Sequence, residues 1–149
     1  MLRISWVLVL GFILAGGLGT AMAADEYGTP AEAKAMLEKA VAAVKQDEKK
    51  ALEMFTKGEG GFKEKDLYPF CAGPDGNFTA HPKLVGKSLA DLEDKNGKNF
   101  GQEIIDEAEE GKISEVTYMW PRPGSDQPVE KVAYVTKVKD QVCAVGYYK

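Results

Sequence analysis

Apolar residues recur at Ala33, Met36, Leu37, Ala40, Val41 and Val44, then at Ala51, Leu52 and Phe55. That is the three- and four-residue spacing of one helical face. Thr29-Pro30-Ala31-Glu32 stands just ahead of the stripe and reads as a capping box, with proline in the first turn. The charged run 46–50 interrupts the stripe, predicting a solvated kink or a break into two helices, and Gly58 ends it. Past the glycines at 58, 60 and 61, a candidate hinge, the pattern changes. Leu67–Ala72 and Asn77–His81 predict a hairpin around Pro74-Asp75-Gly76. Residues 83–98 read as loop, with one helical turn from Ser88. Phe100, Ile104, Ile105 and Ala108 predict a helix over Asn99–Glu110, stopped by Gly111. Ile113–Trp120, Val129–Val138 and Gln141–Tyr148 are rich in β-branched and aromatic residues and predict three strands. The sum is α+β: a long N-terminal helix packed on an antiparallel sheet of about five strands.

The N-terminus belongs to a different pattern. Arg3 precedes the apolar run Ile4–Leu14, and Ala21-Met22-Ala23 follows as an A-x-A cleavage site. The run is short of the roughly 20 apolar residues of a stable span. Residues 1–23 are therefore expected to be a cleaved signal peptide, leaving a periplasmic or secreted protein with no later membrane span. Ala24–Gly28 is expected to be a short disordered lead-in. Residues 24–149 then form one domain, with a helical segment at 29–57 and the sheet with its pocket at 62–149.

Charge narrows the class of partner. A net charge of −4 argues against nucleic acid, which needs a concentrated basic surface. An anionic small molecule remains compatible, because one or two local cations suffice. Beyond the leader, Arg122 is the one arginine, and arginine is the better fork for a carboxylate. The two cysteines, Cys71 and Cys143, are a disulfide candidate in an exported protein. The bond would require the first and last strands to be neighbours; otherwise the two are small buried thiols.

Catalytic and metal chemistry find no support. Two cysteines and a single histidine are too few for a zinc site, and C-x-x-C-H for haem is missing. Asp75-Gly76-Asn77 lacks the ligand spacing of a calcium loop and is explained by turn chemistry. Glu109-Glu110 and Asp47-Glu48 read as solvated helix positions. No nucleophile stands beside a base. The chain is expected to be no enzyme, to take no cofactor or metal, and to hold a ligand without transforming it.

From about Ala51 to Lys149 the chain resembles a single Cache domain of bacterial extracytoplasmic sensors. The resemblance rests on Gly61-Phe62, Asp66-Leu67-Tyr68, Asp75-Gly76, Ala80-His81-Pro82 and Leu84-Val85-Gly86-Lys87. It continues through Tyr118-x-Trp120-Pro121-x-Pro123-Gly124, Lys131-x-x-Tyr134-Val135 and Val145-Gly146-Tyr147-Tyr148-Lys149. It implies a PAS-like fold with a pocket between the sheet and its crossing loops. It also implies a small organic ligand, often a short carboxylate, and a sensory role. With no output domain in view, a separate membrane sensor or transporter is the expected partner. The cysteine pair is no part of the resemblance. An accessory interaction module with no small ligand is the rival; it would show a filled pocket and a sizeable exposed apolar patch.

Seven residues are candidates for the ligand site: Tyr68, His81, Tyr118, Trp120, Arg122, Lys131 and Tyr134. Tyr118 and Trp120 share a strand face and are either core or pocket wall, as is Tyr68. His81 is either a donor to a carboxylate, titrating near the ordinary value of about 6.5, or a loop histidine bonded to backbone. Arg122, between two prolines, is either a carboxylate clamp or a solvated turn residue. Lys131 and Tyr134 are an odd number apart, so in a regular strand only one of them enters the pocket.

Overall fold

The structure, a computed structural model, describes residues 26–149; the expected signal peptide lies outside the described residues. The apolar stripe forms two helices, α1 (Pro30–Gln46) and α2 (Glu48–Lys57). The capping box is present: the Glu32 amide donates to Thr29 Oγ1 at 3.2 Å, and the Thr29 amide donates to Glu32 Oε2 at 2.8 Å. Asp47 separates the helices. Its backbone is extended, and its carboxylate takes the Lys50 amide at 3.1 Å, so the residue that ends α1 caps α2. Of the two expected outcomes at the charged run, the break is the one realised. No described helix is long and apolar enough to cross a membrane.

Five strands form one antiparallel sheet: β1 (Pro69–Ala72), β2 (Phe78–Ala80), β3 (Ser114–Pro121), β4 (Pro128–Val138) and β5 (Gln141–Tyr148), in the order β2-β1-β5-β4-β3. The last strand lies at the centre, between β1 and β4. Cys71 therefore stands directly opposite Cys143, Cα to Cα 4.2 Å apart, and the two form a disulfide. Period-two alternation gives the sheet two faces, save in β2, where an irregularity in the pairing with β1 turns Phe78 and Ala80 to opposite sides. Cys71, Ala80, Val138, Cys143 and Val145 pack under α1 and α2 with Ala33, Leu37, Ala40, Val44 and Phe55. Phe70, Ala72, Phe78, Val116, Tyr118, Ala133 and Ala144 point the other way, under the long crossing segment between β2 and β3.

The expected turn at Ser88 is a single one: Ser88 Oγ takes the Asp91 amide at 3.2 Å and the Leu92 amide donates to the Leu89 carbonyl at 3.0 Å, with no helix following. The Phe78 amide donates to the Lys87 carbonyl at 2.8 Å, and the Gly86 amide donates to the Phe78 carbonyl at 2.9 Å. The Leu89 and Ala90 amides donate to the Gly76 carbonyl at 2.8 and 3.3 Å, so the segment's backbone groups are satisfied by the hairpin and not by a continuing helix. Farther on, α3 (Phe100–Glu107) starts at its cap Asn99, whose Oδ1 takes the Gln102 amide at 3.0 Å. Gly101 lets α3 press against the turns: a Cβ there would lie 1.7 Å from the Leu89 carbonyl oxygen. Asp94 ties the crossing segment to the edge strand, taking the Asn96 and Lys98 amides on Oδ1 and the Met119 amide on Oδ2. Those amides, the Met119 amide first, hold its carboxyl below the usual carboxylate range.

Residues 26–28 differ from the expected disordered lead-in. The Gly28 amide donates to Asp66 Oδ1 at 2.7 Å, and the Tyr27 ring lies 4.3 Å from the Arg122 guanidinium. A buried carboxylate and a cation–π contact hold this stretch to the sheet end.

Candidate functional site: an aromatic chamber around one buried lysine

The alternation of β1, β3, β4 and β5 gathers aromatic rings on the face away from α1. Tyr118 stacks flat on Phe100, the first residue of α3, with centroids 4.0 Å apart, and Trp120 meets the same ring edge-on at 5.4 Å. Phe70 and Phe78 add two more rings, 6.0 Å apart. Together with Tyr68, His81, Leu89, Leu92 and Lys131 they line a chamber of about 10 Å³, close to the space of a single water. Tyr68, His81 and Trp120 also face outward into an open cleft of about 600 Å³, between the 57–67 segment, Pro82–Leu84 and the β3–β4 turn.

Lys131 is the centre of the chamber. It is 1% exposed, reaching from β4 to donate from Nζ to Tyr68 Oη at 3.1 Å. Nζ lies 4.5 Å from the Tyr68 ring, 5.1 Å from Tyr148, 5.4 Å from Phe70 and 5.9 Å from Tyr118. Among the described residues no carboxylate comes within ion-pair distance of it. Burial works to raise the Tyr68 hydroxyl, but the neighbouring ammonium outweighs it and holds the group below the ordinary tyrosine value. Burial, then the nearby Tyr68, pushes Tyr148 up. Burial and then Tyr68 likewise raise Tyr118 well above its ordinary value. Tyr148 in turn donates from Oη to the Pro121 carbonyl at 2.9 Å.

Of the two readings of His81, the structure shows the one bonded to backbone. Its Nδ1 accepts the amides of Lys83 and Leu84 at 3.0 and 3.2 Å. An accepting Nδ1 leaves the proton on Nε2, so the neutral ring can donate from its other nitrogen. It sits among Tyr68, Phe70 and Phe78, with ring centroids 5.5, 6.2 and 5.0 Å away. Burial first, then the charges of Lys131 and Lys83, push its pKa down to about 3. The expected titration near 6.5 is therefore overturned: bonded to backbone and desolvated, the ring stays neutral through the physiological range.

Tyr68, His81, Tyr118, Trp120 and Lys131 thus meet at one chamber. Two of the seven candidates do not. Tyr134 is on the opposite face of β4, its ring 5.8 Å from Tyr147 on the helix-covered side. The β4 register runs unbroken against both neighbours, so no bulge reverses the odd separation from Lys131. Arg122 is outside the chamber but lines the open cleft with Tyr68, His81 and Trp120. Its Nε lies 3.5 Å from Asp66 Oδ2, its guanidinium sits between the Tyr27 and Tyr148 rings, and one terminal nitrogen donates to the Lys149 carbonyl at 3.3 Å. Phe70, Phe78 and Phe100 are wall residues that the sequence reading did not single out for the site. The signal for Phe70 was its two-residue spacing from Tyr68; Phe100 showed only a helical spacing, which says nothing of what it faces.

Helices on one face of a five-strand antiparallel sheet, with a loop-roofed aromatic chamber on the other, is the architecture of PAS-like sensor domains. The chain belongs to the single Cache domain 2 family, whose profile matches residues 21–147. It is 33% identical over 67 residues to the methyl-accepting chemotaxis protein McpP of Pseudomonas putida; the match spans 45% of this chain and 12% of that receptor. The fold is similar to a periplasmic sensor domain of a chemotaxis protein, with a TM-score of 0.57 and 26% identity over 77% of this chain and 86% of the other. A Cache chemosensory domain studied for its carboxylic acid recognition also shares the fold, with a TM-score of 0.57 and 20% identity over 77% and 84% of the two chains.

Proposed function

We propose that this chain is an extracytoplasmic sensor domain that binds a short monocarboxylate in the aromatic chamber and acts with a separate membrane partner. The observation that carries the reading is Lys131: a fully buried ammonium whose nearest companions are aromatic faces and one phenol. Taking such a charge out of water costs several kcal/mol, and cation–π contacts return only part of that, about 2 kcal/mol or somewhat more when desolvated. A carboxylate beside Nζ would complete the ion pair in a low-dielectric site. Neutral donors on His81 and Trp120 would fix its second oxygen, and the phenylalanine rings would take a short apolar tail. The chemistry is recognition, with no bond made or broken.

The small volume adds a condition. A three- or four-carbon acid is larger than about 10 Å³, so binding would displace Trp120, His81 and the turns behind them. Loops 81–89 and 120–128 would then move together, and that motion would be the signal. Native mass spectrometry and a thermal-shift screen of two- to four-carbon acids test the reading. Bound acid and a raised unfolding midpoint are the expected result; no bound species and no shift across the panel would sink it.

The small chamber also favours a second reading, an interaction module with no small ligand. That module needs a sizeable exposed apolar patch, whereas the exposed large hydrophobic residues among those described are Tyr27 and Val85. The carboxylate reading is therefore preferred.

A further inference from the structure

Gly146 lies on β5 opposite Ala133 of β4, one diagonal step from Lys131, which pairs with Tyr148. Its φ is not in the left-handed region, so no backbone requirement calls for glycine. A glycine inside a strand weakens it and commonly marks a close approach of something else. Here that something is the lysine. A Cβ built on Gly146 would lie 2.3 Å from Lys131 Cε, 3.1 Å from Cγ and 3.2 Å from Cδ. The aliphatic stem of Lys131 thus lies flat across the floor of the sheet, through the space that any other residue at 146 would fill.

Resting on the carboxylate reading above, we propose that Gly146 is the positioning residue of the site. Its missing side chain forms the channel that carries the lysine stem, and so sets where the ammonium meets the ligand. A single added methyl would push Cε by about 1 Å to reach ordinary contact distance. It would lift Nζ off Tyr68 and into the space the carboxylate would use. Because both residues belong to the sheet floor, this effect is separate from any motion of the roof.

The test is Gly146→Ala, compared with Lys131→Met and with the double variant, in the purified chain. Titration calorimetry with sodium acetate and sodium propionate is expected to show affinity falling about tenfold or more in G146A. The double variant is expected to match Lys131→Met alone, because Gly146 acts through the lysine. A readout that needs no ligand accompanies it. The ε-methylene protons of Lys131, held among four aromatic rings, are expected at ring-current-shifted positions in the wild type and displaced from them in G146A. Unchanged ε-methylene resonances in G146A overturn the positioning role whatever the acids do. Wild-type affinity in G146A overturns it as well. If the wild type binds neither acid, the carboxylate reading fails, and the ligand-setting part of this role fails with it.

Discussion

At the scale of single residues, the site turns on two buried groups, one a cation and one a base kept neutral. Lys131 is a buried cation with no acidic partner among the described residues, so it is retained at a cost to stability. Lys131→Met keeps length and apolar volume while removing the charge. The expected result is an unfolding midpoint equal to or above that of the wild type, with the acid-induced shift abolished; differential scanning calorimetry with and without propionate reads both. His81 is the mirror case, a base kept neutral. Its pKa of about 3 in the folded chain lies below the unfolded value of about 6.5. Between those limits the unfolded chain binds the proton first, so this contribution to stability is complete above about pH 6.5 and declines as pH falls towards 3. The slope from this one group reaches about 1.4 kcal/mol per pH unit. Denaturant titrations from pH 7 to pH 4 should show it, and His81→Asn, which retains an acceptor for the two amides, should flatten it.

At the scale of elements, the sheet is a short, weak hairpin joined to a long, well-paired meander. β1 and β2 have four and three residues, while β3 to β5 have eight to eleven. The Cys71–Cys143 disulfide ties the short pair to the central strand across 72 residues of chain. Closing a loop of that length is worth about 2–4 kcal/mol through the unfolded state. The Cys71→Ser, Cys143→Ser double variant is expected to lose about that much in urea denaturation. Both sulfurs are buried under α1 and α2, so reductant alone should leave the folded bond intact over hours in a thiol-labelling assay. The element pattern was largely legible beforehand. The stripe, the capping box and the β-branched runs act through neighbours along the chain. That the turn after Ser88 stops at one was not legible, because the Leu89 and Ala90 amides are taken by the carbonyl of Gly76, a partner in the hairpin turn that local periodicity does not encode.

At the scale of the whole molecule, the first described residues and the end of β5 meet beside the site. Asp66 holds the Gly28 amide just ahead of α1, and Arg122 holds Asp66 on one side and the Lys149 carbonyl on the other. Tyr148 lies between Arg122 and Lys131, in ring contact with both cations. A displacement of Lys131 by a bound acid would thus have a short physical route to Gly28 and to Lys149. Arg122 belongs to this junction and not to the chamber. Arg122→Ala is expected to lose about 1–3 kcal/mol, since it leaves Asp66 buried without its cation. It should keep acid affinity within about tenfold of the wild type. Urea denaturation and calorimetry check the two halves; an intact midpoint with lost binding would return Arg122 to the role of a carboxylate clamp.

The sequence by itself determined the α+β class, the pair of cysteines able to bond, and the aromatic and cationic residue types from which the chamber is lined. These follow from side-chain type and from periods of two and of three to four residues, which act locally. Only the tertiary structure decided that the last strand runs through the middle of the sheet. That placement sets Cys143 against Cys71, lays Lys131 across Gly146, and turns Tyr134 away. It also decided that His81 stays neutral and that Arg122 is bound to Asp66, because desolvation and ion pairing depend on neighbours far away along the chain. A residue's chemistry can be read in one dimension; its surroundings are made in three.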